Sequence, residues 1–193
     1  MPIEIEKKYR LTKKQREQIE RRLPQIGAGW RGQEFEENTL FAGDALPSGH
    51  CVLRLRRVGK KNGILTFKER FPSTKSIKRQ REDETSVGDA EAMQSILAVL
   101  GLEPRMVYEK RRVTWRLNKT EIVLDELPFG LFMEIEGPDD EIVKVERQLE
   151  IKRLRAEHAT YPQLTERHGT GRGSIIEARF KEQRAKSKGQ SGG

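Results

Sequence analysis

The sequence predicts an α+β protein dominated by β-strands, with helices covering the apolar side of the sheet. Three observations carry this. Short segments in which apolar and charged side chains alternate recur through the first 136 residues, the period-two pattern of a half-buried strand. Helical apolar spacing is found in only four places. Turn-forming residues separate the alternating segments, as at Gly59 to Gly63 and Leu127-Pro128-Phe129-Gly130.

A chain of 193 residues allows one domain with a sizeable core. Its charged fraction of 35% exceeds a usual value of about 25%, which suits a polar interior feature as well as a solvated surface. With 38 Lys and Arg against 30 Asp and Glu, the net charge is +8. This favours a polyanionic partner: nucleic acid, a phosphate-rich metabolite or an acidic surface. Part of the excess lies in Arg179 to Lys188, so charge alone locates no site. The one cysteine, Cys51, excludes an internal disulfide framework. No secretory leader or membrane-spanning apolar run is read, so a cytoplasmic protein away from membranes is the expectation.

In chain order, strands are expected over about residues 3–10, 37–42, 51–58, 63–69, 77–86, 106–117 and 121–136, the last divided in two by its Pro-Phe-Gly turn. Asn62-Gly63 is expected to supply positive φ to one hairpin turn, and Asn118-Lys119-Thr120 forms another. Thr12 and Gln15 make a capping box ahead of Ile19, Leu23 and Pro24. Asp89 to Leu100 carries Met93, Ile96, Leu97 and Leu100 on one side, with Gly101 at the stop position. Pro138-Asp139-Asp140 opens a third helix with Ile142, Val145 and Leu149 aligned, and Tyr161-Pro162 a short fourth. All four are read as covering the sheet. Residues 1–168 form the folded unit; in 169–193, Gly169 to Gly173 is read as a flexible hinge, Ser174 to Lys186 as a basic helix, and Gly189 to Gly193 as a tail. The hinge lacks the Lys-Ser/Thr of a P-loop.

Alternation assigns the faces. Leu53 and Leu55 oppose Arg54 and Arg56; Leu65 and Phe67 oppose Thr66 and Lys68; Val113 and Trp115 oppose Lys110, Arg112 and Thr114. Glu82 and Glu84 share a face, Asp125 opposes Leu124, and Glu134 and Glu136 oppose Leu131, Met133 and Ile135. At the N-terminus Glu4, Glu6 and Lys8 fall together, away from Ile3 and Ile5. A solvated sheet face usually mixes Thr, Ser and Gln. Here full charges dominate, and acids and bases sit on separate strands. If the sheet curls into a barrel with the helices outside, these charges line its interior. Arg and Lys from several strands match polyphosphate oxygens, and clustered carboxylates are hard ligands for Mg²⁺ or Mn²⁺.

These residues resemble the CYTH domain, the triphosphate tunnel metalloenzymes. Glu4-Ile5-Glu6-Lys7-Lys8 matches the Glu-x-Glu-x-Lys motif. Arg54-Leu55-Arg56, Thr66-Phe67-Lys68, Arg81-Glu82-Asp83-Glu84, Lys110-Arg111-Arg112, Leu124-Asp125 and Glu134-Ile135-Glu136-Gly137 follow in the family's order, over about residues 3 to 165. The resemblance implies a closed eight-stranded antiparallel barrel forming a tunnel, a divalent metal and chemistry on a triphosphate. It implies metal at Glu4, Glu6, Glu134 and Glu136, and phosphate binding by Lys8, Arg54, Arg56, Lys68, Lys110 and Arg112. Glu4, Glu6, Lys8 and Arg56 are the catalytic candidates; Glu82, Glu84 and Asp125 are further site candidates. The expected activity is hydrolysis of a small-molecule triphosphate: inorganic triphosphate first, then thiamine or nucleoside triphosphates.

Two rivals are carried. A class IV-type adenylyl cyclase needs a nucleoside pocket at the tunnel mouth, for which the sequence offers no motif. A non-catalytic polyphosphate- or nucleic-acid-binding barrel fits the basic charge but leaves the carboxylates unexplained, so nucleic acid is disfavoured. The oligomeric state, a homodimer included, is left open. His50-Cys51 lacks the partners of a zinc site. His158 and His168 are read as surface residues, Tyr9, Phe67 and Trp115 as packing under helices, and Trp30 as loop packing. The basic end from Arg179 is read as solvated, with docking at the tunnel entrance or on an acidic partner as the alternatives.

Overall fold

The computed structural model describes residues 3–46, 51–59, 61–70 and 78–181, with the side chains of all of these except 3, 4, 70 and 78–80. The alternating segments become β1 (Ile3–Leu11), β2 (Gly29–Ala42), β3 (Cys51–Val58), β4 (Gly63–Arg70), β5 (Lys78–Val87), β6 (Glu103–Leu117), β7 (Thr120–Leu127) and β8 (Gly130–Glu136). The helices are α1 (Lys13–Gln25), α2 (Ala90–Val99), α3 (Asp139–Gln148) and α4 (Tyr161–His168). Both Thr12 and Thr160 close capping boxes, with Gln15 and Gln163. Each box satisfies backbone donors that the first helical turn leaves unpaired. Pro24 does not end α1 but sits in its last turn.

The strands lie in the order β2-β3-β4-β5-β1-β8-β7-β6, all antiparallel, and β2 pairs with β6 as well as with β3. Each of these eight strands therefore has a strand neighbour on both sides. The β2–β6 ladder is long because β2 starts at Gly29, eight residues before the expected strand. The polar stretch around Gly29 and Trp30 reads as a loop in the sequence. In the structure Gly32, at φ +154°, sits at an irregularity in that ladder, a common use of glycine in a strand.

Three local expectations change. Positive φ in the β3–β4 turn belongs to Gly59 (φ 72°), not to Asn62-Gly63, whereas Asn118 (φ 52°) fits its turn. Trp30 lies on β2 and is exposed, opposite Trp115 on β6. Residues 170–178 are neither hinge nor helix: β9 (Thr170–Arg172) and β10 (Ile175–Ala178) form a hairpin around Gly173, and β10 runs parallel to β6. The β7 ladder engages β6 only from Arg111 to Leu117, so β10 completes the backbone bonding of β6 at Met106 to Tyr108. Buried backbone groups need such partners. The expectations for His50 and for the tail beyond Lys181 lie outside the described residues.

Two cores lie on the outer side. Ile19 and Leu23 of α1 and Ile142 and Val145 of α3 pack on Tyr9, Ile122, Leu124, Met133 and Ile135. Leu97 of α2 packs with Leu53, Leu55 and Phe67. The fourth helix departs from the expectation that all helices cover this side. Tyr161 and Leu164 of α4 join Leu40, Tyr108 and Phe132, and Tyr161 faces the same interior as the charged rows. The inward face of β2, β6 and β8 turns apolar at that end, and α4 buries it.

Candidate functional site

The charged rows converge. One cavity of about 530 Å³ is lined by Lys8, Arg54, Arg56, Lys68, Lys110 and Arg112 among the cations, and by Glu6, Glu82, Glu84, Glu134 and Glu136 among the acids. Every described side chain proposed from the sequence is thus at this cavity, with Asp125 just behind its wall, fully buried. Glu4 lies two residues before Glu6 on β1, with its side chain outside the description.

Strand register sorts the charges. Glu6 of β1 stands opposite Glu136 of β8, which stands opposite Glu121 of β7, and all three line the cavity. In the next inward row Lys8 faces Glu134, and their side chains approach to 3.2 Å. Arg54, Arg56 and Lys68 occupy β3 and β4, and Lys110 and Arg112 occupy β6. An acidic corner on β1, β8 and β7 therefore faces bases on β3, β4 and β6. On β5, Glu82 holds Lys68 at 2.7 Å. Glu84 accepts a bond from Thr66 at 3.0 Å, and Thr66 accepts one from Arg54 at 3.2 Å.

Arg112 is the most constrained base. Its Nε and Nη2 donate to the two oxygens of Asp125 at 2.8 and 2.7 Å, and Nη2 also reaches Glu134 at 2.9 Å. Such a two-point guanidinium–carboxylate contact fixes orientation as well as charge. Tyr161 donates to Asp125 at 2.7 Å, and the Lys8 ammonium lies 3.8 Å from the centre of the Tyr161 ring. Among the described residues, the buried Nε of Arg54 has no hydrogen-bond partner, and that of Arg56 has only the Glu36 carboxylate at 3.6 Å; a buried donor without a hydrogen bond is costly, and an anionic guest would satisfy it.

Electrostatics follow from this packing. Burial, with Arg112 beside it, pulls Lys110 down to about 8 against the opposing pull of Asp125 and Glu36. Burial works to raise Glu134, but Lys8, Arg112 and Lys110 together hold it at about 2. Burial and the Asp125 carboxylate push the Tyr161 hydroxyl well above its ordinary range, so it is a fixed donor.

Three participants escaped the sequence reading. Glu36 is fully buried and lies 3.1 Å from Lys110 and 3.6 Å from Arg56. Burial opposes its charge, yet Lys110, Arg112 and Arg56 hold it well below the usual carboxylate range. A signal existed in the alternation of Glu34-Phe35-Glu36, which the adjacent Glu37 obscures. Glu121 shares the parity of Asp125, so the same alternation reaches it. Tyr161 sits on a helix, where strand alternation says nothing.

Glu6, Glu136 and Glu121 offer hard oxygen donors in one row across three adjacent strands. The donor chemistry fits Mg²⁺ or Mn²⁺. Among the described residues, however, no three acidic, His or Cys side chains converge as a ready metal cage. The remaining singled-out residues are peripheral. His158 and His168 are exposed, His168 stacking on Phe129. Tyr9, Phe67 and Trp115 pack with the outer cores. Arg179 pairs with Glu37 and Glu109 on the outer side of β2 and β6. Among the described residues, no helix is long and apolar enough to cross a membrane.

The family model for the CYTH domain matches residues 2–165. The chain belongs to the CYTH domain family. Solved structures share the fold. A protein of Pyrococcus horikoshii OT3 is 29% identical, with a TM-score of 0.71 over 82% of this CYTH chain and 96% of its own. A Pyrococcus furiosus protein is 24% identical, with a TM-score of 0.70 over 82% and 97%. A Hippeastrum adenylyl-cyclase-like protein with a dominant triphosphatase activity is 20% identical, with a TM-score of 0.66 over 83% and 93%. No curated protein matches this CYTH chain. The match ends before β9 and β10, so the hairpin beside β6 lies beyond the family's span.

Proposed function

We propose that this CYTH protein hydrolyses a linear triphosphate, inorganic triphosphate first, inside a closed tunnel and with the help of Mg²⁺ or Mn²⁺. One observation carries the reading: a single cavity joins the acidic row Glu6, Glu136 and Glu121 to Arg54, Arg56, Lys68, Lys110 and Arg112. A simple anion binder gains nothing from those carboxylates, and a simple metal site gains nothing from five bases. Pairing of β2 with both β3 and β6 supports closure of the tunnel. We assign the catalytic unit to residues 1–168 and treat 169–193 as its appendage.

Glu4, Glu6 and Glu136, with Glu121 beside them and Glu134 in the next row, would hold the cation, which supplies charge neutralisation and Lewis acidity to the phosphates. Arg54, Arg56 and Lys68 take the phosphate oxygens from one side, and Lys110 and Arg112 from the other. Glu36, Asp125 and Glu82 hold these bases in place and keep them charged. Lys8, steadied between Glu134 and Tyr161, faces the same space and supports the phosphate being transferred. Preorganised cations aimed at developing negative charge are the main catalytic device in phosphoryl transfer. Losing one such contact costs about 2–4 kcal/mol of barrier, roughly 30- to 1000-fold in rate.

The test is phosphate release from inorganic triphosphate, ATP and thiamine triphosphate, with Mg²⁺, with Mn²⁺ and with chelator. Release from inorganic triphosphate is expected to be fastest and to stop with chelator. Arg56→Ala and Glu6→Gln are expected to lose at least 30-fold while keeping the wild-type circular dichroism. Undiminished turnover in both would remove the site, and cyclic AMP from ATP would replace hydrolysis by cyclisation. The Hippeastrum protein's dominant triphosphatase activity is the same chemistry on the same fold.

A further inference from the structure

A second concavity, of about 810 Å³, lies on the other side of the segment that walls the first. Its charged lining is Arg10, Arg153, Arg155 and Arg167, with His158 beside them, against a single carboxylate, Glu157. That carboxylate accepts the Ala159 amide at 2.9 Å. Arg10 donates to the Phe129 carbonyl and lies over the Phe132 ring. Among the described residues, no carboxylate pairs with Arg153, Arg155 or Arg167. The contrast with the first cavity is plain, since each base there has an acidic neighbour.

We propose that this groove is a second, non-catalytic site for a phosphate chain. Three exposed arginines without acidic partners around one hollow form a concentrated positive field, and the guanidinium fork matches phosphate oxygens two at a time. The apolar lining is Leu154, Ala156 and Ala159, and Leu154 packs towards the outer core. An acidic peptide needs apolar anchors to bind well, and this groove offers few. Its occupant gains from charge density, which is higher along a phosphate chain than along an acidic peptide.

The partition between the two sites is one short segment. Ala156 to Ala159 and Gln163 face the groove, while Thr160, Tyr161 and Pro162 face the catalytic cavity. Lys8, a cavity residue, is tied to this segment twice: its carbonyl accepts the Glu157 amide at 2.8 Å, and its ammonium donates to the Ala159 carbonyl at 3.3 Å. Occupancy of the groove therefore bears on the segment that seats Lys8.

Titration calorimetry in chelator with inorganic triphosphate tests the site. Wild type is expected to bind two equivalents. Arg153→Ala/Arg155→Ala/Arg167→Ala, all on exposed positions, is expected to bind one fewer with unchanged thermal unfolding. If the catalytic cavity binds nothing without metal, the counts become one and zero, and the groove still stands. Longer inorganic chains are expected to bind the groove at least tenfold tighter than pyrophosphate, and to slow hydrogen exchange at the Glu157 and Ala159 amides. Equal stoichiometry in wild type and the triple variant overturns the proposal. So does tighter binding of a poly-aspartate peptide than of a phosphate chain.

Discussion

Lys110 sits at about 8 because burial strips its hydration and Arg112 lies beside it. In the unfolded chain the ammonium titrates near 10.5, so between about 8 and 10.5 the unfolded state holds more protons than the folded state. Stability therefore rises with pH across that window, by on the order of 3 kcal/mol. Urea midpoints measured at pH 7.5 and 10 should show the rise in wild type and lose it in Lys110→Met. For the proposed triphosphate substrate binding runs the other way, because its phosphates would need the ammonium. KM for triphosphate is expected to climb above pH 8, and Lys110→Arg should move that climb to higher pH. The residue types at these positions were legible in the sequence, since alternation alone put Lys110 and Arg112 on the charged face. Their charge balance was not, because Glu36, which holds Lys110, comes from a strand whose early part looked like a loop.

Among elements, the outer face of β2 and β6 carries the clearest stability test. Glu37 and Glu109 are opposed across the ladder, a like-charge pair, and Glu109 is fully buried. Arg179, just past β10, bonds both, and the Phe180 amide donates to Glu109 at 2.7 Å. Phe180 also packs near Phe35 and beneath Arg111. Arg179→Ala should cost about 2 kcal/mol by leaving two carboxylates facing each other. Adding Glu37→Gln should recover part of the loss, as read from urea denaturation of the single and double variants. In the sequence the chain after His168 looked like a glycine hinge and a basic end. Those glycines instead shape a hairpin, and Ile175 and Ile176 suit the strand that fills the gap beside β6. Composition could not show this, because the gap exists only where β7 stops short on its neighbour.

At the scale of the molecule, the pairings that matter join distant parts of the chain. β1 meets β8, and β2 meets both β3 and β6. Ordering such long loops before their contacts form is slow, so refolding monitored by stopped-flow fluorescence is expected in milliseconds to seconds, not microseconds. The sequence by itself determined the strand faces, the helix starts at Thr12 and near Tyr161-Pro162, and the charged residue types that meet at the cavity. Period-two alternation and capping are local, and a few neighbouring residues specify them. Only the tertiary structure decided that Glu6, Glu136 and Glu121 share a row, that Glu36 braces Lys110, and that α4 turns Tyr161 into the interior. Each of these depends on which strands become neighbours and on what covers the apolar end of the inward face. Backbone pairing and burial across the whole chain settle those choices, and no short stretch of sequence encodes them.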